Sequence, residues 1–184
     1  NCEFTCGTIS RKGEAVISEF GIEGSGIYPL SVEIRAQLIQ NKVANILIDF
    51  KPDLSLEEIK NRLENKGKTS VKDVLEKKIN LSATQIELLK RASSKEEYNS
   101  IDFLSQLIKN YPLTLVGFAP MDDAISTVGG IALNEVNEHL ELKRLSNHYC
   151  LGERLDWDAP TGGYILQACF SMGRYIADIL NGSR

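Results

Sequence analysis

GERLDWDAPTGGYILQACFSMG, residues 152–173, is the stretch on which the reading of the whole chain turns. An apolar, β-prone run, Tyr149-Cys150-Leu151, leads into Gly152-Glu153. A turn of small and acidic residues follows over 156–161. Gly162-Gly163 then opens a strongly apolar helix expected to reach about Leu180. Thr161 is the candidate N-cap, and the paired glycines let another group come close to the first-turn N–H groups. Those N–H groups have no intrahelical acceptor, so they attract anions and electron-rich oxygens. A strand end bearing an acid, followed by a glycine-opened helix, is a recurrent way to hold the hydroxyls and the negative end of a dinucleotide.

Composition bounds the rest. The chain has 184 residues, 42% hydrophobic and 25% charged, enough for one ordinary domain with or without a satellite lobe. A net charge of −4, without basic runs interleaved with aromatics, argues against a nucleic-acid partner. No apolar run approaches the roughly 18 residues of a membrane span, so no membrane partner is expected. Cys2, Cys6, Cys150 and Cys169 form no C-x-x-C pair and are read as buried, reduced thiols of a cytoplasmic protein. His139 and His148 lack partners at metal-ligand spacing, and no metal site is expected. No nucleophile–base–acid set or phosphate loop stands out, and no catalytic residue is assigned.

Working back from the N-terminus, residues 2–10 and 12–20 read as two strands joined by a turn at Arg11-Lys12-Gly13. The middle of the second is apolar on both sides and predicts a strand covered on both faces. Gly21-Ile22-Glu23-Gly24-Ser25-Gly26 is either a flexible connection or a close-approach loop. A short helix over 27–40, with Ser31 as candidate cap, precedes a strand over 43–50 that puts Ala44, Ile46, Ile48 and Phe50 on one face. Residues 54–110 are purely helical in character. Ser55 with Glu58 and Ser82 with Gln85 make capping boxes, and Ser70 with Asp73 a weaker one. Leu54 with Ile59 and Leu81 with Ile86 are candidate staples. A fourth helix is expected over 95–109, stopped by Tyr111-Pro112. An apolar strand over 113–118 then suggests that the helices are inserted between two strands of one sheet. A strand over 124–136 is interrupted at Gly129-Gly130, either as a bulge or as bare backbone against a flat group. A short strand over 140–145 leads to the opening motif. In the last helix Gln167, Ser171, Arg174 and Asp178 form one polar stripe, and the remaining surface predicts burial on most of the circumference. Its cover is expected to be the β layer or a second copy of the chain, making a homodimer a candidate assembly.

Gly152, Glu153, Leu155, Asp156, Thr161, Gly162, Gly163, Tyr164 and Gln167 together resemble the G-E-x-L-D and T-G-G-Y motif of the aminoacetone oxidase-like (BaiN-like) bacterial FAD-dependent flavoproteins. GEAVISEFGIEGSGIYPLS (residues 13–31) and STVGGIALNEV (residues 126–136) resemble two further family segments in the expected order. The resemblance implies an α+β chain with three parts. Residues 1–53 and 111–150 would form a mixed or antiparallel, barrel-like β domain on the substrate side. Residues 54–110 would be an inserted helical lobe, and 151–184 the C-terminal strand–turn–helix of a Rossmann-like FAD-binding domain. The G-x-G-x-x-G turn that holds the FAD pyrophosphate does not occur in this sequence, and the chain begins with Asn1. It is therefore expected to be the C-terminal part of a longer protein and not to retain FAD by itself.

By the same resemblance Thr127, Gly129, Gly130, Gly152, Glu153, Gly162, Gly163, Tyr164 and Ile165 are the cofactor-binding positions. Glu153 would accept hydrogen bonds from ribityl hydroxyls. The N–H groups of Gly163, Tyr164 and Ile165 would face the O2 and N1 side of the flavin, where negative charge gathers on reduction. Ile165 stands where the family often has Asn, so that contact would come from backbone. Asp156 would hold the turn by accepting backbone N–H groups, and Trp157 and Tyr164 would either line the site or pack. The implied partners are a small organic substrate and NAD(P)H as a candidate electron donor. The competing reading is a non-catalytic structural or interaction domain with the helical lobe as its partner surface.

Overall fold

Alternation of apolar and polar residues builds the sheet of the first half. The computed structural model describes residues 1–159 and 163–182. The chain divides into two units, Asn1–Gly117 and Phe118–Arg184. The first starts with β1 (Cys2–Cys6), β2 (Ile9–Gly13), β3 (Val16–Ser18) and β4 (Gly21–Glu23). A 3-10 turn, Tyr28–Leu30, leads into α1 (Ser31–Asn41) and β5 (Ala44–Asp49). Then come α2 (Leu56–Glu64), α3 (Val71–Lys77), α4 (Ala83–Arg91), α5 (Lys95–Asn99) and α6 (Ile101–Lys109), before β6 (Tyr111–Leu115). The order across the main sheet is β2-β1-β5-β6, every pair antiparallel. β5 and β6 are neighbours although five helices separate them in sequence, as the insertion predicts.

One face of this sheet presents Phe4, Cys6, Ala44, Ile46, Ile48 and Tyr111, all buried. They share a single apolar cluster with Ile59, Leu63, Leu75, Ile79, Leu89, Leu104 and Ile108 of the helical region. The helices therefore complete the sheet's core. Lys109 ties the two layers together. Its Nζ pairs with Asp49 at 2.5 Å and donates to the carbonyls of Lys51 and Leu54 at 3.0 and 2.8 Å.

Several expectations are corrected here. The first turn is at Gly7-Thr8, where Cys6 faces Ile9, and Arg11 and Lys12 lie inside β2. β3 and β4 form a separate two-stranded hairpin whose apolar residues Val16, Ile17 and Phe20 are exposed, so that strand is not covered on both faces. Ser31 is the first residue of α1 and makes no side-chain cap. The expected fourth helix is two, because Ser94 and Ser100 each cap a new start. Tyr111 and Pro112 begin β6. Among the described strands β2 and β6 are open edges, so the sheet does not close into a barrel.

The second unit is mostly irregular up to α7 (Gly163–Leu180). The strands expected over 124–136 and 140–145 are replaced by isolated bridges, Val136 to Leu142, Glu141 to Tyr149 and a parallel one from Ile131 to Leu155. Its buried cluster is small: Val136, Cys150 and Leu155, with Leu142, Trp157 and Met172 packed around them. In α7 the polar stripe is real, with Gln167 bonded to Ser171 and Arg174 to Asp178. The expected burial is not: Ile176 is buried, whereas Leu166, Phe170, Tyr175 and Leu180 are exposed. Its contacts within this unit run along one side only, and so thin a layer cannot surround an apolar helix. All four cysteines are free thiols, but only Cys6 and Cys150 are fully buried. Burial raises the Cys6 thiol pKa above the ordinary value, with Glu33 adding to the rise. Among the described residues no helix is long and apolar enough to cross a membrane.

Candidate functional site

The parallel bridge between Ile131 and Leu155 organises the second unit. Ile131 N–H donates to Arg154 O, and Asp156 N–H to Ile131 O, both at 2.8 Å. This joins the segment carrying Thr127 to the segment carrying Glu153, although 26 positions separate those residues. A shallow concavity results, lined by Ser126, Thr127, Val128, Glu153, Trp157, Asp158, Ala159 and Ile165. Three of the expected positions, Thr127, Glu153 and Ile165, thus meet at one place.

The glycines divide into two kinds. Gly130 has φ +154°, and a Cβ there would lie 2.5 Å from Arg154 O. The group that approaches its bare backbone is the chain itself, at the bridge. Gly152 is buried at φ +67° with Cys169 Sγ close by. Its N–H donates to Met172 Sδ at 3.2 Å, and its carbonyl accepts from Trp157 Nε1 at 2.8 Å. Both of its polar groups are thus used inside the protein. Gly129 and Gly163, by contrast, face open space.

Glu153 is exposed, the middle residue of a one-turn 3-10 helix, Gly152–Arg154. Gly163, Tyr164 and Ile165 form the first turn of α7. Their N–H groups are among the four that an α-helix leaves without internal acceptors. Tyr164 is exposed and does not line the concavity. Thr161 and Gly162 lie outside the described residues. Asp156 is fixed by its backbone N–H and its side chain is exposed, so the expected carboxylate-held turn is replaced by the bridge. Trp157 both packs and lines the concavity. The loop 21–26 packs against the start of the chain: Gly26 N–H donates to Glu14 O at 3.0 Å, and a Cβ on Gly26 would strike the Phe4 ring.

The donor set suits the ring end of a flavin. A free carboxylate accepts from polyol hydroxyls, a threonine hydroxyl is at hand, and first-turn N–H groups suit an electron-rich pyrimidine edge. Open space beside Gly129 and Gly163 lets a flat group approach backbone. Sequence reasoning left Trp157 open between lining and packing and assigned no role to Ser126, Val128, Asp158 or Ala159, which also line the concavity. The available signals were the indole's place next to the G-E-x-L-D segment and the place of Ser126 at the start of the STVGG segment.

Glu153 on its 3-10 turn and Ile165 in the first turn of α7 thus line one concavity. Residues 1–126 match the family described as HI0933-like protein barrel and H2TH domain. The chain belongs to this family, the aminoacetone oxidase-like (BaiN-like) flavoproteins. Over 176 residues it is 23% identical to the 3-dehydro-bile acid delta(4,6)-reductase of Clostridium scindens, covering 90% of this chain and 43% of that protein. The chain thus spans less than half the length of that relative.

Proposed function

We propose that this chain supplies the substrate-side domain and the flavin-ring-end contacts of an FAD-dependent oxidoreductase that acts on a small organic molecule. The observation that carries the reading is the meeting of Thr127, Glu153 and Ile165 at one concavity beside the start of α7. The bound cofactor supplies the redox chemistry. The residues here bind and orient. Glu153 would accept from ribityl hydroxyls, Thr127 would offer its hydroxyl to the ring's polar edge, and the N–H groups of Gly163, Tyr164 and Ile165 would favour negative charge on the pyrimidine side. Gly162 is a further proposed cofactor-binding position. Gly129 would leave room for a flat ring, while Gly130 and Gly152 allow the close packing of the chain around the concavity.

In this reading residues 1–53 and 111–150 are the substrate-side domain, with the helices of 54–110 inserted in its sequence. The parallel pairing at Leu155 followed by α7 supports the assignment of 151–184 as the end of a Rossmann-like FAD domain. The similar Clostridium protein is named a reductase, which supports a redox role here; NAD(P)H as electron donor and a cytoplasmic setting are part of the proposal. The test is the visible spectrum of the full-length protein. We expect the two absorption bands of oxidised flavin, bleached by NAD(P)H. A colourless full-length protein that takes up no added FAD would overturn the reading and favour a structural or interaction role.

A further inference from the structure

Glu153 sits on a single 3-10 turn, which has little stability of its own. What keeps that turn in place is its first residue. Gly152 O accepts from Leu155 N–H at 3.2 Å and from Trp157 Nε1 at 2.8 Å. On the other side, Gly152 N–H donates to Met172 Sδ on α7. The Trp157 ring is itself anchored against Val136, Cys150 and Leu155, and it also lines the concavity shared by Thr127 and Glu153.

We propose that Trp157 is a positioning residue for the cofactor: its indole N–H holds the Gly152–Arg154 turn so that the Glu153 carboxylate stays at the concavity, and its ring forms that concavity's apolar wall. The inference rests on the flavin reading above and adds the residue that pre-organises its one acidic ligand. Fixing that carboxylate before binding removes an ordering cost that a free side chain would pay at the moment of association.

The experiment compares the full-length protein with Trp157→Phe, which keeps aromatic bulk and removes the N–H. Calorimetric titration with FAD is expected to show affinity weaker by about fivefold, the effect of one hydrogen bond. The emission difference between wild type and variant, which isolates Trp157, is expected to be quenched by FAD. Melting of the FAD-free protein is expected to stay close to wild type, because Leu155 N–H still occupies Gly152 O. Wild-type affinity in the variant, an unquenched emission difference, or a melting loss in step with the affinity loss would each overturn the positioning role. Failure of the wild-type protein to bind FAD at all would overturn the flavin reading together with this one.

Discussion

The two halves of this chain use opposite means to hold their shape. In Asn1–Gly117 the sheet and five helices contribute to one continuous apolar cluster, and every helix of the 54–110 region starts at a serine cap. In Phe118–Arg184 one small buried cluster, Val136, Cys150 and Leu155, supports a path of isolated bridges and positive-φ glycines. The first arrangement gains stability from burial, which scales with area. The second gains little that way and relies on a few backbone bonds, with most of α7 left exposed. The residues expected to bind a cofactor are all in the second half. Binding loops are commonly drawn from the less stable parts of a fold, carried by a stiffer remainder.

The contrast predicts where a core mutation will be felt most. Leu104 is fully buried in the shared cluster. Leu104→Ala is expected to cost about 3 kcal/mol and to loosen sheet and helices in a single transition. Chemical denaturation followed by far-ultraviolet circular dichroism checks this. Separate transitions for the sheet and the helices would show that residues 54–110 form an independent lobe.

A glycine substitution probes the other half. Gly130→Ala adds a Cβ 2.5 Å from Arg154 O at φ +154°, which breaks the bridge that joins Thr127 to Glu153. The expected cost is about 2 kcal/mol, from the strain of the site and the lost pairing. It should appear as protease sensitivity confined to residues beyond 117. Gly67→Ala in the first half is the control, with φ +59° but open space around the Cβ, and is expected to cost about 1 kcal/mol. Equal effects on both halves would erase the distinction drawn here.

How far the sequence could be read follows the same division. Serine caps are local signals, so the starts of α2, α3 and α4 were legible, and Ser94 with Glu97 was an equally good signal left unread. The alternation Ala44, Ile46, Ile48, Phe50 was legible because one face is fully buried. The first hairpin was misplaced because Arg11-Lys12-Gly13 reads as a turn, while Gly7-Thr8 lacks the usual Asn-Gly signature. In the second half the deciding contact, Ile131 to Leu155, pairs residues far apart by backbone alone, and side-chain patterns carry no mark of it. The site positions were reached only through resemblance to a family.

Smaller effects separate the helices of the first half from one another. Ser82→Ala removes the oxygen that accepts Gln85 N–H at 3.2 Å and is expected to cost about 1 kcal/mol. The loss should be read as faster amide exchange in the first turn of α4. An unchanged exchange rate there would mean that packing of Leu81 and Ile86, and not the cap, fixes that helix start.

The smallest predicted effect distinguishes two capping boxes of the same design. In α2 the third-position partner is Glu58, whose carboxylate accepts from Ser55 N–H at 2.8 Å. The backbone bond from Ser55 first, and its hydroxyl second, hold Glu58 below the ordinary carboxyl pKa. In α4 the corresponding partner is Gln85, which does not titrate. A carboxylate with a depressed folded pKa stabilises the folded state fully above its unfolded value, and that contribution fades as pH falls through the folded one. Acidification from about pH 6 to pH 3 should therefore speed exchange at the start of α2 relative to the start of α4. Glu58→Gln keeps an acceptor in the box without the proton-binding site, so it should abolish the difference. If the two helix starts soften together in the wild-type protein, acid acts through the sheet and its shared core, and the caps are passengers of that core.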